Sequence, residues 1–209
     1  MLVLGLDTST PSVSVALVDT GRGVLAERTV LDGRRHGEVL AVGIRAVLSE
    51  SGWRASDLEA IVVGLGPGPF TGLRVGIVTA ASLADALGVS AYGVCSLDGL
   101  YVDGPGALAA VTDARRREVY WTVYDGGGAR TDGPHVTKPD VAAAAMAGCR
   151  VVGAGALLYR EAFAGLDVRD QPTAPAVEQL VRRVDFGRGP EPLVPLYLRR
   201  PDATEPVPR

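Results

Sequence analysis

The sequence predicts an α/β protein of two small units, each a sheet with flanking helices, dividing near residue 100 into residues 1–100 and 101–209. Three observations carry this reading. Paired, alternating apolar segments open both halves, at residues 2–19 and 108–125. Residues 60–65 form a continuous apolar run, the pattern of a strand covered on both faces. The helical period of 3.6 residues governs residues 37–51 and again the segment from Thr71 to Leu87.

Taken in order, Leu2 to Asp7 reads as a strand, and residues 12–19 alternate into a second after the turn Thr8-Ser9-Thr10-Pro11, making a hairpin. Residues 23–30 add a third antiparallel strand. The helix at residues 37–51 gathers Val39, Leu40, Ile44, Val47 and Leu48 on one side. The strand at 60–65 ends in Gly66-Pro67-Gly68-Pro69-Phe70-Thr71-Gly72, and Thr71 is expected to cap the next helix. That helix is apolar almost all round, with Arg74 and Asp85 its main charges, and Gly88 closes it. One sheet face cannot bury such a helix, so it either packs between its sheet and the 37–51 helix or offers apolar surface to another chain.

Residues 89–94 read as a further buried strand. After Gly104-Pro105-Gly106 the pattern starts again: strands at 108–113 and 118–125, a helix at 141–147, a strand at 151–152 entering Gly153-Ala154-Gly155-Ala156, and a helix at 178–184. Two units that open with hairpins suggest an ancient duplication, although no clear sequence repeat accompanies them. From Pro190 onward proline is frequent, and only residues 193–199 offer an ordered segment.

With 47% hydrophobic and 22% charged residues, the chain has the make-up of a soluble globular protein and excludes fibrous and disordered classes. A net charge of -3 and a pI near 5.4 argue against a protein that grips nucleic acid alone. Short arginine groups at 115–117, 182–183 and 199–200 read as solvated surface, or as a minor share of a surface where a partner does most of the binding. Cys95 and Cys149 fit no metal spacing and read as buried reduced thiols, as expected in the cytoplasm. Residues 1–6 lack a basic leader and run into Asp7, which argues against a signal peptide, and no stretch is expected to span a bilayer.

Asp7-Thr8-Ser9-Thr10 sets a carboxylate and three hydroxyls on a tight turn, where they would meet a phosphate or its metal ion, or else simply bond their own backbone. Residues 66–74 join a buried strand to a helix through glycines, but meet neither the P-loop nor the dinucleotide pattern. The loop therefore reads as a phosphate cradle or as a rigid helix-launching turn. His36 is followed one helical turn on by Leu40, not by a second metal ligand, and His135 is placed in a Gly-Pro turn, so no metal site is expected.

Several motifs together resemble one family over nearly the whole chain: LGLDTSTPSVSVAL at residues 4–17, His36-Gly37-Glu38-Val39-Leu40, GLGPGPFTGLRVG at 64–76, Ser96-Leu97-Asp98, Asp113-Ala114-Arg115 with Glu118-Val119-Tyr120, Gly153-Ala154-Gly155-Ala156, and Pro195-Leu196-Tyr197-Leu198-Arg199. Their order and spacing resemble the TsaB family, also called YeaZ, with Gly37 and Pro69 where that family more often has serine. The resemblance implies an actin-like, Hsp70-like ATPase (ribonuclease H-like) fold of two small domains, each with a mixed sheet. It implies a non-catalytic scaffold for threonylcarbamoyl modification of the tRNA adenosine next to the anticodon. The implied partners are the paralogue TsaD, paired through helices of the N-terminal domains, and the ATPase TsaE, with a homodimer when the chain is alone and tRNA reached through the complex.

On this resemblance the partner surface falls on Val39, Leu40, Ile44, Leu73, Arg74, Ile77, Val78 and Ala81. A remnant nucleotide cleft falls on Asp7, Thr8, Ser9, Gly153 and Gly155, with weak ATP or ADP binding and no required cofactor. TsaD keeps a His-x-x-x-His metal pair, which here reads His36 and Leu40, so catalytic transfer is not expected. The rivals are an actin-like ATPase or carbamoyl transferase working alone through Asp7 and the 66–72 loop, and a metallopeptidase, for which no ligand cluster is found.

Overall fold

The structure is a computed structural model that describes residues 1–32 and 35–199. The proline-rich segment expected after Pro201 lies outside the described residues. The first lobe is a five-stranded sheet, β1 (Leu2–Asp7), β2 (Ser12–Asp19), β3 (Gly23–Leu31), β4 (Ala60–Gly64) and β5 (Ser90–Val94), in the order β3-β2-β1-β4-β5. β1–β2 and β2–β3 are antiparallel, whereas β1–β4 and β4–β5 are parallel. Helices α1 (His36–Ser51) and α2 (Phe70–Leu87) lie side by side on one face. Strand alternation explains the layering: Leu2, Leu4, Leu6, Ile61 and Val63 face α1 and α2, while Val3, Ala60 and Val62 point to the opposite side.

The second lobe repeats this plan. Strands β6 (Leu108–Asp113), β7 (Val119–Tyr124), β8 (Arg130–Thr137), β9 (Arg150–Val152) and β10 (Asp167–Val168) are ordered β8-β7-β6-β9-β10. Again two antiparallel pairings are followed by two parallel ones. Helices α3 (Pro139–Ala145) and α4 (Ala154–Leu158) take the places of α1 and α2, and Ala142, Met146 and Ala156 pack with Val111, Trp121 and Val151. The duplication inferred from two hairpins is thus a strand-for-strand repeat of topology.

Two segments tie the lobes together. The last helix, α5 (Val177–Arg182), comes from the second half of the chain yet covers the open face of the first sheet, where Val177, Leu180 and Val181 join Val3, Ala16 and Val62. Gly5 of β1 admits this contact, because a Cβ there would run into Val177. Residues 193–199 then run as a strap: Leu193 packs on the first core, Leu196 donates its N–H to the Leu65 carbonyl at 2.8 Å, and Leu196 and Leu198 pack with Tyr101 and Tyr124.

The structure departs from the sequence reading in four places. Thr71 does not cap α2; the helix begins at Phe70 after Pro69, whose φ of -61° suits the entry. Residues 90–94 are the edge of their sheet and only half-buried, since a short apolar strand looks alike at a centre or an edge. His135, placed by the sequence reading in a Gly-Pro turn, sits on strand β8, its ring centroid 4.7 Å from that of Trp121 and its Nε2 2.6 Å from Asp132 Oδ1. Finally, α2 has 18 residues of mean hydropathy 1.3, long and apolar enough by composition to cross a membrane, although Leu73, Ile77, Ala80 and Ala84 dock it on the sheet. Cys95 and Cys149 are free and buried, and burial pushes the Cys95 thiol up to about 12, with Asp98 adding to the shift.

Candidate functional site: an interlobe cleft and an open helix face

At the end of β1, Asp7, Thr8 and Ser9 are 1%, 1% and 3% exposed, so the turn is an interior feature. Asp7 Oδ1 accepts from the Ser9 amide at 2.9 Å and its hydroxyl at 2.7 Å. Burial raises the Asp7 carboxyl above its ordinary range, and contacts from Ser96 and Ser9 offset this only in part. Thr8 Oγ1 donates to the Gly72 carbonyl at 2.7 Å and accepts from the Gly76 amide at 3.1 Å, which pins the first turns of α2 to the hairpin. The glycine string exists for this approach: a Cβ at Gly68 would collide with the Ser9 carbonyl, and one at Gly76 with the Thr8 hydroxyl. His36 Nε2 lies 3.1 Å from the Thr10 carbonyl and fastens the other side of the turn.

Gly153 and Gly155 are equally interior. A Cβ at either would strike the backbone of β6, at Val111 and Thr112 respectively, so these glycines let α4 close onto its sheet. Asp7, Thr8, Ser9, Gly153 and Gly155 are therefore all buried, and none lines the cleft described next. Among the described residues no three His, Cys, Asp or Glu side chains are grouped to hold a metal.

The cleft between the lobes has a volume of about 460 Å³. One wall is the 68–71 loop; the other is the β6–β7 turn from Asp113 to Arg116, and the strap closes it with Tyr197 to Arg199. Arg115, Arg116 and Arg117 all hold left-handed backbone, with φ of 58°, 53° and 58°. Each such residue costs roughly 1 kcal/mol or more outside glycine. Asp113 fixes the turn, its Oδ1 accepting from the Arg115 amide at 2.8 Å and from the Tyr159 hydroxyl at 3.3 Å. Arg199 clamps it from the strap by donating to the Ala114 carbonyl at 2.7 Å and pairing with Glu118. At the rim, the Phe70 and Tyr197 rings stack at 5.1 Å, and the Arg74 guanidinium lies 3.9 Å from the Phe70 centroid.

The expected partner surface divides in two. Leu40, Leu73 and Ile77 are 1%, 0% and 7% exposed and belong to the core, because the i, i+4, i+7, i+11 stripe Leu73-Ile77-Ala80-Ala84 faces the sheet. Val39 and Ile44 are half-buried against the same core. Arg74, Val78 and Ala81 are exposed, and Val78 is 61% so, while the neighbouring α1 exposes Val42 at 56%. Away from the cleft lining lies a network that sequence reasoning did not single out: Asp98, in the Ser96-Leu97-Asp98 motif, accepts from Tyr124 and Arg130, each at 2.7 Å.

Two copies of one five-stranded plan facing each other across a cleft define an actin-like, Hsp70-like ATPase architecture of the ribonuclease H-like class. The sequence profile of the family described as "TsaD: tRNA N6-adenosine threonylcarbamoyltransferase" matches residues 17–148. A Mycobacterium tuberculosis protein described as uncharacterized is 46% identical over 202 residues, spanning 96% of this chain and 93% of that one. The Bacillus subtilis "tRNA threonylcarbamoyladenosine biosynthesis protein TsaB" is 33% identical over 129 residues, 59% of this chain and 55% of that protein. The solved structure of YeaZ from Pseudomonas aeruginosa superposes with a TM-score of 0.80 at 32% identity, covering 94% of this chain and 99% of its own. The chain belongs to the TsaB/YeaZ family.

Proposed function

We propose that, within tRNA threonylcarbamoyladenosine biosynthesis, the role that membership of this family supports, the chain is a non-catalytic scaffold that pairs with the transferase TsaD and offers a composite surface to the ATPase TsaE in the cytoplasm. The observation that carries this reading is the outer face of α2. Arg74, Val78 and Ala81 project from a helix that is docked on the sheet by its opposite stripe, so the face is rigid and its apolar side chain costs little to desolvate. The same face would serve a homodimer when TsaD is absent. Its contribution to the reaction is binding energy and selection of a competent TsaD conformation.

The hairpin turn supports the non-catalytic part. Thr8 is spent on the 66–76 loop and Ser9 on Asp7 Oδ1, and the buried Asp7 carboxyl, raised above its ordinary range, is poorly suited to holding a metal-bound phosphate. Weak ATP or ADP binding without any required cofactor follows. The test is size-exclusion chromatography with light scattering on the full chain, alone and mixed with TsaD from the same organism. A 1:1 pair lost on Val78→Glu supports the scaffold, whereas no pair with the unaltered chain removes its main support.

A further inference from the structure

We propose that residues 193–199 form a latch: they hold the two lobes at one cleft opening and detach as a unit, short of global unfolding, to let the cleft widen about the connection at residues 96–100. The inference concerns the chain by itself and stands whether or not the α2 face carries a partner.

The strap is stitched to both lobes in turn. On the first lobe, Leu193 packs on the core, the Leu196 amide donates to the Leu65 carbonyl at 2.8 Å, and the Tyr197 ring stacks on Phe70. The Tyr197 hydroxyl also accepts from Arg74 Nε at 3.3 Å. On the second lobe, Leu196 and Leu198 pack on the cluster that holds Leu108, Tyr120 and Tyr124. Arg199 completes that side by donating to the Ala114 carbonyl at 2.7 Å and pairing with Glu118. The bridge lies at the cleft itself, because Tyr197, Leu198 and Arg199 line it. Detachment therefore removes a wall of the cavity as well as a tie between its sides.

The other ties between the lobes lie elsewhere. The Ser96 amide donates to the Gly66 carbonyl at 2.7 Å and the Ser96 hydroxyl accepts from the Gly66 amide at 3.0 Å, which fixes the connection to the first lobe. Two residues on, Asp98 bonds Tyr124 and Arg130 of the second. The Gly99 carbonyl accepts from the Ala176 amide at 2.8 Å, at the root of α5. Residues 96–100 are all buried, and none of them lines the cleft. A short buried connection in one place and a separate strap across the opening make a hinge with a latch.

The backbone makes the strap the weaker of the two. Pro190, Pro192 and Pro195 have no N–H to give, and the segment joins neither sheet. Between residues 193 and 198 the Leu196 amide alone reaches a carbonyl outside the segment, while Val194 and Tyr197 donate to Pro192 and Pro195 within it. Side chains supply the rest of the hold, and they are incompletely covered: Leu193, Leu196 and Leu198 are half-buried and Tyr197 is 39% exposed. Segments with little buried apolar area and few backbone hydrogen bonds open at lower cost than the sheets they lie on. The same prolines keep a detached strap extended, which limits the entropy lost when it docks again.

The test uses the full chain with nitroxide labels on Ser49→Cys in α1 and Val141→Cys in α3, both exposed positions, while the buried Cys95 and Cys149 stay unlabelled. Pulsed dipolar electron paramagnetic resonance reads the distance between the lobes, and hydrogen exchange with mass spectrometry compares strap peptides with β1, β4 and β6. The unaltered chain should give one narrow distance, with strap amides exchanging at least about tenfold faster than the core strands. Tyr197→Ala combined with Arg199→Ala should speed strap exchange by roughly another tenfold and spread the distances toward longer values, while core exchange is unchanged. Arg199→Lys keeps the charge opposite Glu118 and should stay close to the unaltered chain, and Val194→Ala, at a position 63% exposed, should change neither reading. A distribution that stays narrow while the strap exchanges freely would overturn the proposal, since α5 and the Asp98 network would then fix the lobes without it. Strap exchange no faster than that of β1, or a double variant in which every peptide loses protection together, would equally overturn it by making the strap part of the core.

Discussion

Changing Val78 to glutamate separates the two halves of the helix surface that sequence periodicity had merged. Val78 is 61% exposed, so folding buries only a minor part of it. Full burial of a valine contributes about 1.5 kcal/mol at the low end, so the substitution should lower the stability of the isolated chain by roughly 0.6 kcal/mol or less. In the pair, the exposed remainder would be covered. Losing its burial costs about 0.9 kcal/mol, and seating an unpaired carboxylate there adds about 2–5 kcal/mol, for a total near 3–6 kcal/mol. Association with TsaD should therefore weaken by about 100-fold or more, while the melting temperature moves by only a few degrees. Leu73→Ala is the control from the core stripe: at 0% exposure it should cost about 2–5 kcal/mol of stability and touch pairing only through unfolding. The assay is light scattering for pairing with urea unfolding for stability. Undiminished pairing by the glutamate variant would refute the argument, whatever its effect on the fold.

The remaining predictions concern the buried turns. The folded pKa of Asp7 lies above the ordinary value of 3.8, so the fold favours the neutral acid and stability falls as pH rises from about 3.8 through the folded value. Asp7→Asn should flatten that decline and raise the urea midpoint at pH 8, whereas a loss of stability at pH 8 would show that the charged form is the one accommodated. Thr8→Val removes the hydroxyl that bridges the Gly72 carbonyl and Gly76 amide, and should cost about 1–3 kcal/mol by urea unfolding with no change in ATP affinity measured by calorimetry. Asp98→Ala strands Arg130 and Tyr124 and should cost about 3–5 kcal/mol, read as a fall in melting temperature. A small effect there would mean that solvent reaches the Arg130 guanidinium more readily than its contacts suggest.

Sequence periodicity went furthest where a strand or helix has one wet and one dry face. β1, β2 and α1 begin and end within a residue of expectation, because hairpin alternation and helical phase are local properties. β8 escaped because Arg-Thr-Asp-Gly-Pro reads as turn chemistry, while pairing with β7 imposes extended backbone from outside the segment. The same limit governed the site. Asp, Thr and Ser on a turn look alike whether they face a cleft or a glycine loop, and only the packing of residues 66–76 over Thr8 distinguishes the two. Leu73, Ile77 and Val78 look equally apolar, and only the direction of the sheet sorts them. The Phe70–Tyr197 stack joins residues far apart in sequence, and nothing short of the strap's course announces it.

The repeat sharpens what these turns mean. Asp7 ends β1 and Asp113 ends β6, equivalent places in two sheets of one topology, yet their surroundings have diverged. The first is closed under its own glycine loop, where burial raises its carboxyl above the ordinary range; the second opens onto the cleft and holds a turn of arginines. The scaffold was kept while its loops changed, as expected where function resides in connections. Helix α2 links both outcomes, since Thr8 pins its first turns, Phe70 and Arg74 border the cleft, and Val78 lies one turn further along.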